Sequence, residues 1–308
     1  MADRLAIAVV GPTCAGKTKI AIELAKLANG EIISADARQI YRVLNVGTAK
    51  PSLEERAEVP HHLVDILSPE DEVSAGVYAK LAWDAARDIF SRNLTPIIVG
   101  GSGLYVRAIV DGLFDAPEVG REIKTRLRNR LHTETPQALL DELKHVDPEA
   151  AEGLLPQNYK RIIRALEVYH ASGRKISEMR TDSPIRPDFK TIQFGILVDR
   201  TTLYRRIEAR VDDMITSGLL DEVKEILRKG FDPELNSLQT VGYKEAIRYL
   251  QGNIRYEDMV DLIKMNTRRY AKRQMTWFRK DKRIIWIEST GRDPVSVAKE
   301  IVSSYSAE

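Results

Sequence analysis

Continuous apolar runs alternate along the chain with apolar residues at helical spacing. Runs at residues 5–10 and 95–99 predict buried strands, because every position in them is suited to a sheet covered on both faces. Other segments rich in apolar residues predict further strands at residues 31–34, 61–67, 191–198 and 284–287. Strands separated by helices indicate an α/β fold built on a parallel sheet.

A glycine-rich stretch, Gly11-Pro12-Thr13-Cys14-Ala15-Gly16-Lys17-Thr18, joins the first strand to the first helix. It fits the P-loop pattern G-x-x-x-x-G-K-[ST], in which backbone N–H groups and a helix N-terminus face a phosphate. We predict that these eight residues bind a diphosphate group, that Lys17 adds positive charge and that the Thr18 hydroxyl holds Mg²⁺. The motif does not identify the molecule that carries the phosphates.

The second predicted strand runs into Ala35-Asp36-Ala37-Arg38-Gln39. Because ligands of open parallel sheets bind at the carboxyl ends of the strands, we expect Asp36 near the P-loop. A carboxylate there can accept a proton or a hydrogen bond from an attacking group, whereas the alternative is an ordinary turn or cap aspartate. The residues alone leave both interpretations open.

The strand at 95–99 ends in Gly100-Gly101-Ser102-Gly103. In many P-loop hydrolases a strand of this kind ends in an acidic residue that orders Mg²⁺, so this ending argues against a routine ATPase. The glycines allow either close approach of a substrate or a tight turn. Because the turn should share a rim with the P-loop, we favour the substrate interpretation, with Ser102 as a hydrogen-bonding group.

Helical patterns without a strand pattern occupy residues 116–189. We therefore predict a P-loop NTPase-like parallel-sheet core formed by residues 1–115 and 190–308, with a helical insertion at 116–189. One helix of the insertion places Lys160, Arg161 and Arg164 opposite an apolar face. This pattern is typical of a solvated basic surface and also of a surface that binds nucleic acid.

The most basic segment is residues 264–283, in which Asp281 is the only acid. On a helix Arg268 and Lys272 lie one turn apart and repel each other, so a negative partner is expected. Nucleic-acid phosphates supply one, although a surface helix with its aromatic residues packed inward is the alternative. A second basic region in the insertion favours nucleic acid.

Composition narrows the protein class further. The 308 residues are 43% hydrophobic and carry a formal net charge of +2, so overall charge indicates no partner. A single cysteine excludes an internal disulfide and a cysteine-based zinc site, which fits a cytoplasmic location. Apolar runs are too short to span a membrane, and the N-terminus lacks a signal-peptide pattern, so we expect no membrane partner.

Motifs across nearly the whole chain resemble the tRNA dimethylallyltransferases, also called tRNA isopentenyltransferases, of the IPP transferase family. The P-loop is unspecific alone, whereas the ordered set is highly specific. The stretches are Gly11–Thr18, Ile33-Ser34-Ala35-Asp36-Ala37-Arg38-Gln39-Ile40-Tyr41, Gly47-Thr48-Ala49-Lys50-Pro51, Pro60-His61-His62-Leu63-Val64-Asp65, Val99-Gly100-Gly101-Ser102-Gly103-Leu104-Tyr105, Arg161-Ile162-Ile163-Arg164-Ala165-Leu166-Glu167, Val241-Gly242-Tyr243-Lys244-Glu245 and Arg273-Gln274-Met275-Thr276-Trp277-Phe278.

The resemblance implies transfer of a dimethylallyl group from dimethylallyl diphosphate to N6 of an adenosine in tRNA. That adenosine lies 3′-adjacent to the anticodon in tRNAs that read codons beginning with U. The catalytic residues would be Asp36, which accepts from the N6–H group, Lys17, and Arg210 as a second diphosphate contact. Mg²⁺ is the implied cofactor and the tRNA anticodon stem-loop the implied partner, with a monomeric enzyme expected.

The resemblance also implies a set of residues that face the tRNA. They are Asp36, Ala37, Arg38, Gln39, Ser102, Arg121, Lys160, Arg161, Ile162, Ile163, Arg164, Gln239, Thr240, Val241, Gly242, Tyr243 and Lys244. One position departs from the family: many relatives have an arginine directly after the stretch that corresponds to Pro117-Glu118-Val119. Here Gly120 stands at that position and Arg121 follows.

Three alternatives make different predictions. A P-loop small-molecule kinase would transfer phosphate without RNA, and it leaves the basic regions unexplained. A prenyltransferase of free adenine nucleotides would not need an insertion that binds RNA. A non-catalytic RNA-binding nucleotide switch would tolerate the loss of the Asp36 carboxylate.

Overall fold

The computed structural model describes residues 4–114, 117, 119–181 and 185–305. The chain divides into two compact units, one formed by Met1–Val110 with Pro187–Glu308 and the other by Asp111–Arg186. The sequence predicts an insertion at 116–189, and the second unit begins and ends a few residues earlier. Glu118, Asp115 and Ala116 lie outside the described residues.

Six parallel strands form one sheet in the described part of the first unit. They are β1 (Leu5–Val10), β2 (Gly30–Ser34), β3 (His61–His62), β4 (Thr95–Gly100), β5 (Lys190–Leu197) and β6 (Ile285–Glu288). Their order across the sheet is β3-β2-β4-β1-β5-β6. The predicted α/β class with a parallel sheet is therefore confirmed.

Helices follow the strands and fill the second unit. In chain order they are α1 (Lys17–Leu27), α2 (Leu53–Glu58), α3 (Ala75–Ser91), α4 (Gly103–Asp111), α5 (Arg121–Thr133), α6 (Pro136–Val146), α7 (Pro148–Ala151), α8 (Tyr159–Ser172), α9 (Ile176–Thr181), α10 (Arg200–Thr216), α11 (Leu219–Arg228), α12 (Tyr243–Leu250), α13 (Tyr256–Phe278) and α14 (Pro294–Tyr305).

Apolar side chains cover both faces of the sheet, which is why the central strand β1 is apolar at every position. On β1, Ile7 and Val9 pack with the buried faces of α1 and α14. The alternate residues Ala6 and Ala8 point to the opposite face and are also fully buried. Helix α3 packs against β2 and β4.

The register of the strands brings three chain segments to one edge of the sheet. Val10 pairs with Gly100 of β4, and Ser34 of β2 pairs with Val99. The P-loop, the segment that begins at Ala35 and the turn after Gly100 therefore all start at the carboxyl ends of adjacent strands.

One strand prediction is wrong in length. The apolar run at 61–67 predicts a strand, but β3 ends at His62. Leu63 and Asp65 have left-handed backbone conformations, with φ of 61° and 60°, which no strand accommodates. Asp65 is held by ion pairs with Lys50 and with Arg56, at 2.9 Å for the latter, so tertiary contacts override the local pattern.

The second unit is helical and has its own apolar core. Helices α5, α6 and α8 pack together. The side chains of Leu127, Leu143 and Leu166 from these helices are fully buried in that core. Among the described helices of both units, none combines the length and the apolar character that crossing a membrane would require.

We predict that acid destabilises the protein through Glu31, a buried carboxylate at the start of β2. Arg92 binds it through both oxygens, at 2.5 and 2.7 Å, and His62 binds it at 2.7 Å. The Arg92 guanidinium is the main reason that the pKa of Glu31 lies at about 2 rather than 4.5. Its stabilisation is therefore complete above pH 4.5 and is lost as the pH falls towards 2.

The measurement is the thermal midpoint at several pH values. Glu31→Gln should lower the midpoint at pH 7 and flatten its decline in acid. Glu58→Gln is the matched control, because Glu58 pairs with Lys26 on the surface and its side chain is 51% exposed. Equal acid profiles for wild type and Glu31→Gln would contradict the prediction.

Candidate active site at the carboxyl ends of the strands

The P-loop takes backbone conformations that its glycines permit. Gly11 has a φ of 146°, and a Cβ there would lie 3.0 Å from the Ile196 carbonyl oxygen. Gly16 has a φ of 90° and caps the N-terminus of α1. Cys14, with a φ of 64°, is also left-handed, so the loop turns sharply just before the helix N–H groups begin.

Lys17 is the first residue of α1, and its ammonium group turns back over the loop. Nζ donates to the Pro12 carbonyl at 2.7 Å. Burial lowers the pKa of Lys17 from 10.5 to about 8, an effect that the Asp36 charge opposes and the Arg210 charge enhances. An amine held in this way gains a strong partner when an anion binds beside it.

A second cation reaches the same loop from α10. Arg210 donates to Thr13 Oγ1 at 3.3 Å through one nitrogen and to the Thr48 carbonyl at 3.3 Å through another. Arg206, one turn earlier, places its guanidinium beside Gly16. Thr18 lies in the first turn of α1. The structure thus brings the predicted residues Lys17 and Arg210 together at the P-loop.

Asp36 lies near enough to Lys17 for its charge to act on that ammonium group, and its carboxylate is fixed by the backbone. Its Oδ1 accepts from the N–H groups of Arg38 at 2.8 Å and Gln39 at 3.3 Å. Burial raises the pKa of Tyr270, and the negative charge of Asp36 raises it further. Asp36 is therefore a turn aspartate as well as an oriented acceptor near Lys17, so the two interpretations of the sequence are compatible.

The glycines after β4 allow other segments of the chain to pack closely against this turn. A Cβ on Gly100 would lie 2.2 Å from the Ala35 carbonyl oxygen, and one on Gly103 would lie 2.3 Å from Trp277 Cδ1. Close packing between chain segments therefore requires glycine at these two positions, and the substrate interpretation of the turn stays a prediction. Ser102 contributes its Oγ as an acceptor for the Ala37 N–H at 3.2 Å, which joins this turn to the Asp36 segment.

Gln274 lies in the family-like stretch Arg273–Phe278, but no role in the site was predicted for it from the sequence. Its Oε1 accepts from the Thr13 N–H at 2.8 Å, and its Nε2 donates to the Gly101 carbonyl at 2.9 Å. The side chain is buried on the inner face of α13, together with Ala271 and Phe278. In the sequence, Gln274 lies at helical spacing from apolar residues such as Ala271 and Phe278. A polar residue on an apolar helix face was the signal that could have identified it.

The predicted tRNA-facing residues of the first unit differ in exposure. The segment 36–39 and Ser102 are half-buried beside the P-loop, and Gln239 is exposed. Tyr243 is fully buried and donates its hydroxyl to Glu222 at 2.6 Å. Its side chain therefore supports the loop between β2 and α2 and is not presented to solvent.

The second unit presents its predicted residues on two helices. Arg121 begins α5, and Lys160 and Arg161 lie at the start of α8; all three are exposed. Ile162 and Ile163 are buried in the apolar core of the unit, so their side chains face away from solvent. Arg164 pairs with Glu167 at 3.3 Å.

Helix α13 carries most of the basic C-terminal segment. Lys264 pairs with Asp212 at 2.7 Å, and Arg268 pairs with Glu208 at 2.9 Å. Carboxylates of α10 therefore supply part of the negative charge that was expected beside this basic segment. Arg269 and Lys272 are exposed, as is Arg273. Phe278 is packed inward, as the surface-helix alternative expected, whereas Trp277 is 38% exposed.

Comparison with known proteins decides the family. The family model described as IPP transferase matches residues 39–281. The chain belongs to the IPP transferase family.

Relatives within the IPP transferase family match over almost the full chain. The tRNA dimethylallyltransferase 2 of Geotalea uraniireducens is 47% identical over 283 residues, which cover 92% of this chain and 91% of that protein. The tRNA dimethylallyltransferase of Pelotomaculum thermopropionicum is 42% identical over 298 residues, which cover 96% of this chain and 94% of that protein.

Solved structures of IPP transferases share the fold. The tRNA isopentenylpyrophosphate transferase of Bacillus halodurans matches with a TM-score of 0.73 and 39% identity, covering 99% of this chain and 96% of that one. A eukaryotic dimethylallyltransferase acting on tRNA matches with a TM-score of 0.81 and 28% identity, covering 98% and 77%. The predicted family and the predicted tRNA-modifying prenyltransferase class are confirmed, and the kinase alternative is disfavoured.

We predict that Gln274→Leu weakens the binding of diphosphate to this IPP transferase. The substitution keeps the volume but leaves the Thr13 N–H and the Gly101 carbonyl without their partner, which costs about 1–3 kcal/mol. Part of this cost should appear as a Kd for pyrophosphate raised about tenfold, measured by calorimetry at pH 7.

Gln251→Leu is the matched control, since Gln251 is an exposed residue at the end of α12. It should bind pyrophosphate as wild type does. An unchanged Kd for Gln274→Leu would show that the P-loop holds its shape without this side chain.

Proposed function

We propose that the protein transfers the dimethylallyl group of dimethylallyl diphosphate to N6 of the adenosine 3′-adjacent to the anticodon in tRNA. The observation that carries the proposal is the arrangement around the P-loop, in which Lys17 and Arg210 contact the loop and the Asp36 carboxylate lies close enough to act on Lys17. Two cations can stabilise the negative charge of a leaving diphosphate, and a carboxylate can accept a hydrogen bond from an attacking amine. Relatives named tRNA dimethylallyltransferase support the same reaction.

In the donor half of the reaction, the bond between the allylic carbon and the diphosphate oxygen breaks. The electron pair leaves with the diphosphate, whose growing negative charge Lys17 and Arg210 stabilise, together with the N–H groups at the start of α1. Groups positioned before the reaction need no rearrangement as this charge develops.

Mg²⁺ is proposed as the cofactor because the donor set is suited to it. The Thr18 hydroxyl at the start of α1 is a hard oxygen ligand, and Mg²⁺ in phosphate sites takes one or two protein oxygens plus phosphate oxygens. Within the described residues, no group of three or more His, Cys, Asp or Glu side chains forms a metal site. When bound, the ion would add positive charge beside the leaving diphosphate.

In the acceptor half, the adenine N6 forms the new bond to the allylic carbon and loses a proton. Asp36 is proposed to accept the N6–H hydrogen bond and then the proton. Its Oδ1 is already tied to two backbone N–H groups, so the carboxylate is oriented before substrate arrives. Orientation of a weak nucleophile contributes more here than complete deprotonation.

The adenosine must leave its stack to reach Asp36, and RNA loops offer bases that are already unstacked. In the first unit, residues 36–39, Ser102 and exposed cations of α13 such as Lys272 are proposed to hold the RNA. In the second unit, Arg121, Lys160 and Arg161 provide exposed positive charge for its backbone. A monomeric enzyme in the cytoplasm remains the expected setting.

The proposal predicts a gain in RNA mass that depends on Asp36. Full-length protein, unmodified anticodon stem-loop RNA, Mg²⁺ and dimethylallyl diphosphate are incubated, and the RNA is analysed by mass spectrometry. One dimethylallyl group should be added per RNA. Asp36→Ala should slow the addition at least ~10²-fold, the usual effect of losing a positioned base.

Asp84→Ala is the control, because Asp84 is an exposed surface carboxylate paired with Arg87. It should leave the rate unchanged. RNA of unchanged mass together with rapid consumption of ATP would reject the transferase in favour of a kinase. A near-normal rate for Asp36→Ala would remove Asp36 from the mechanism.

A second prediction concerns pH. Because the pKa of Lys17 is about 8, the charged form falls as the pH rises above 8. Only the charged form attracts the diphosphate, so affinity for dimethylallyl diphosphate should weaken by up to about tenfold per pH unit above that point. Kd is measured from pH 7 to the limit at which the protein stays folded.

Lys17→Arg provides the comparison, since its guanidinium stays charged throughout this range. Its profile should be flat, whatever its affinity at neutral pH. Parallel profiles for the two proteins would show that another group controls the pH dependence.

A further inference from the structure

The carboxylate of Glu222 accepts hydrogen bonds from three successive backbone N–H groups. Glu222 lies on α11, and its Oε2 accepts from Asn45 and Val46, each at 2.9 Å. Its Oε1 accepts from Gly47 at 3.3 Å and from the Tyr243 hydroxyl at 2.6 Å. A single side chain thus binds the start of the segment 45–50, which we call the β2–α2 turn.

The β2–α2 turn has the pair of hydrogen bonds that is typical of the end of a helix. The Ala49 N–H donates to the Val46 carbonyl at 3.0 Å, and the Lys50 N–H donates to the Asn45 carbonyl at 3.1 Å. Such a turn has free N–H groups at its start and free carbonyl groups at its end. An anion at the start satisfies those donors and matches the local dipole, as the Glu222 carboxylate does here.

The carbonyl end of the same turn faces the P-loop site. The Thr48 carbonyl accepts from Arg210 Nη2 at 3.3 Å, while the other terminal nitrogen of Arg210 reaches Thr13. The Gln39 amide donates to the carbonyls of Thr48 at 3.4 Å and Ala49 at 3.2 Å. The turn therefore connects Glu222 to the guanidinium that faces the diphosphate position.

Packing leaves the turn little freedom to move. A Cβ on Gly47 would lie 2.4 Å from Tyr243 Cε2, and the Tyr243 ring is fully buried. At the end of the turn, Lys50 has a side chain only 3% exposed and donates to the Tyr41 carbonyl at 2.8 Å. The turn is therefore held at both ends. Among the described hydrogen bonds, those that Glu222 accepts connect the turn to a charged side chain of α11.

We propose that Glu222 is a positioning residue for the diphosphate site. By binding the N–H end of the β2–α2 turn, it fixes the Thr48 carbonyl, and that carbonyl holds Arg210 in the orientation that faces the P-loop. The inference rests on the proposed function only in naming the bound group as the diphosphate of the substrate. The contacts of Glu222 and Arg210 do not depend on that function. Glu222 touches no reacting atom; it acts through Arg210.

The test measures the Kd of full-length protein for inorganic pyrophosphate by calorimetry, without RNA. Glu222→Gln keeps the side-chain size but loses the charge and one acceptor oxygen. Affinity should fall about tenfold, the scale of a lost hydrogen bond to a charged group. Glu225→Gln is the matched control, because Glu225 lies one turn further along α11, pairs with Arg228 and is 44% exposed. It should bind pyrophosphate as wild type does.

A double-mutant cycle separates positioning from a general structural role. In an Arg210→Ala background, Glu222→Gln should change the Kd by no more than about twofold, because the group it positions is gone. The same tenfold loss in both backgrounds, or a lowered thermal midpoint with an unchanged Kd, would overturn the proposal. If Glu222→Gln does not fold, Tyr243→Phe removes one Glu222 contact and should still raise the Kd, though by less.

Inorganic pyrophosphate as the probe keeps this inference separate from the reaction. If wild type adds nothing to RNA but Glu222→Gln still weakens pyrophosphate binding through Arg210, the proposed function fails and the inference stands. If RNA is modified normally by wild type and Glu222→Gln binds pyrophosphate as well as wild type, the inference fails and the proposed function stands.

Discussion

Cations gathered around one loop repel each other, and the site depends on backbone carbonyls that keep them in place. Lys17 donates to the Pro12 carbonyl and Arg210 to the Thr48 carbonyl. Neutral acceptors of this kind orient a positive group without cancelling its charge, which an aspartate or glutamate at the same place would do. The positive potential therefore remains available to an anionic ligand.

Polar side chains from distant segments determine where those carbonyls lie. Gln274 joins the P-loop to the turn after β4, and Glu222 joins α11 to the turn before α2. Each of these side chains is fixed by a helix outside the P-loop segment. The geometry of the loops thus follows from helix packing, which is more rigid than the loops themselves.

Local sequence predicted the parts of the site that local chemistry determines. The P-loop and Asp36 follow strands whose apolar pattern is unambiguous, and parallel pairing then brings the two segments together. The roles of Gln274 and Glu222 were not predicted, because their partners are 261 and 176 residues away in sequence. The strand at 61–67 was predicted too long since the turn at Leu63 and Asp65 is set by ion pairs with Lys50 and Arg56 that no local pattern encodes.

The P-loop also contains the only thiol of the chain, that of Cys14, which is half-buried beside Thr13 and Arg210. A sulfhydryl reagent small enough to enter can therefore label this protein at one place alone, within the phosphate-binding loop. Fluorophores or spin labels attached there would report on ligand occupancy in the native sequence, with no engineered cysteine and no background from other positions.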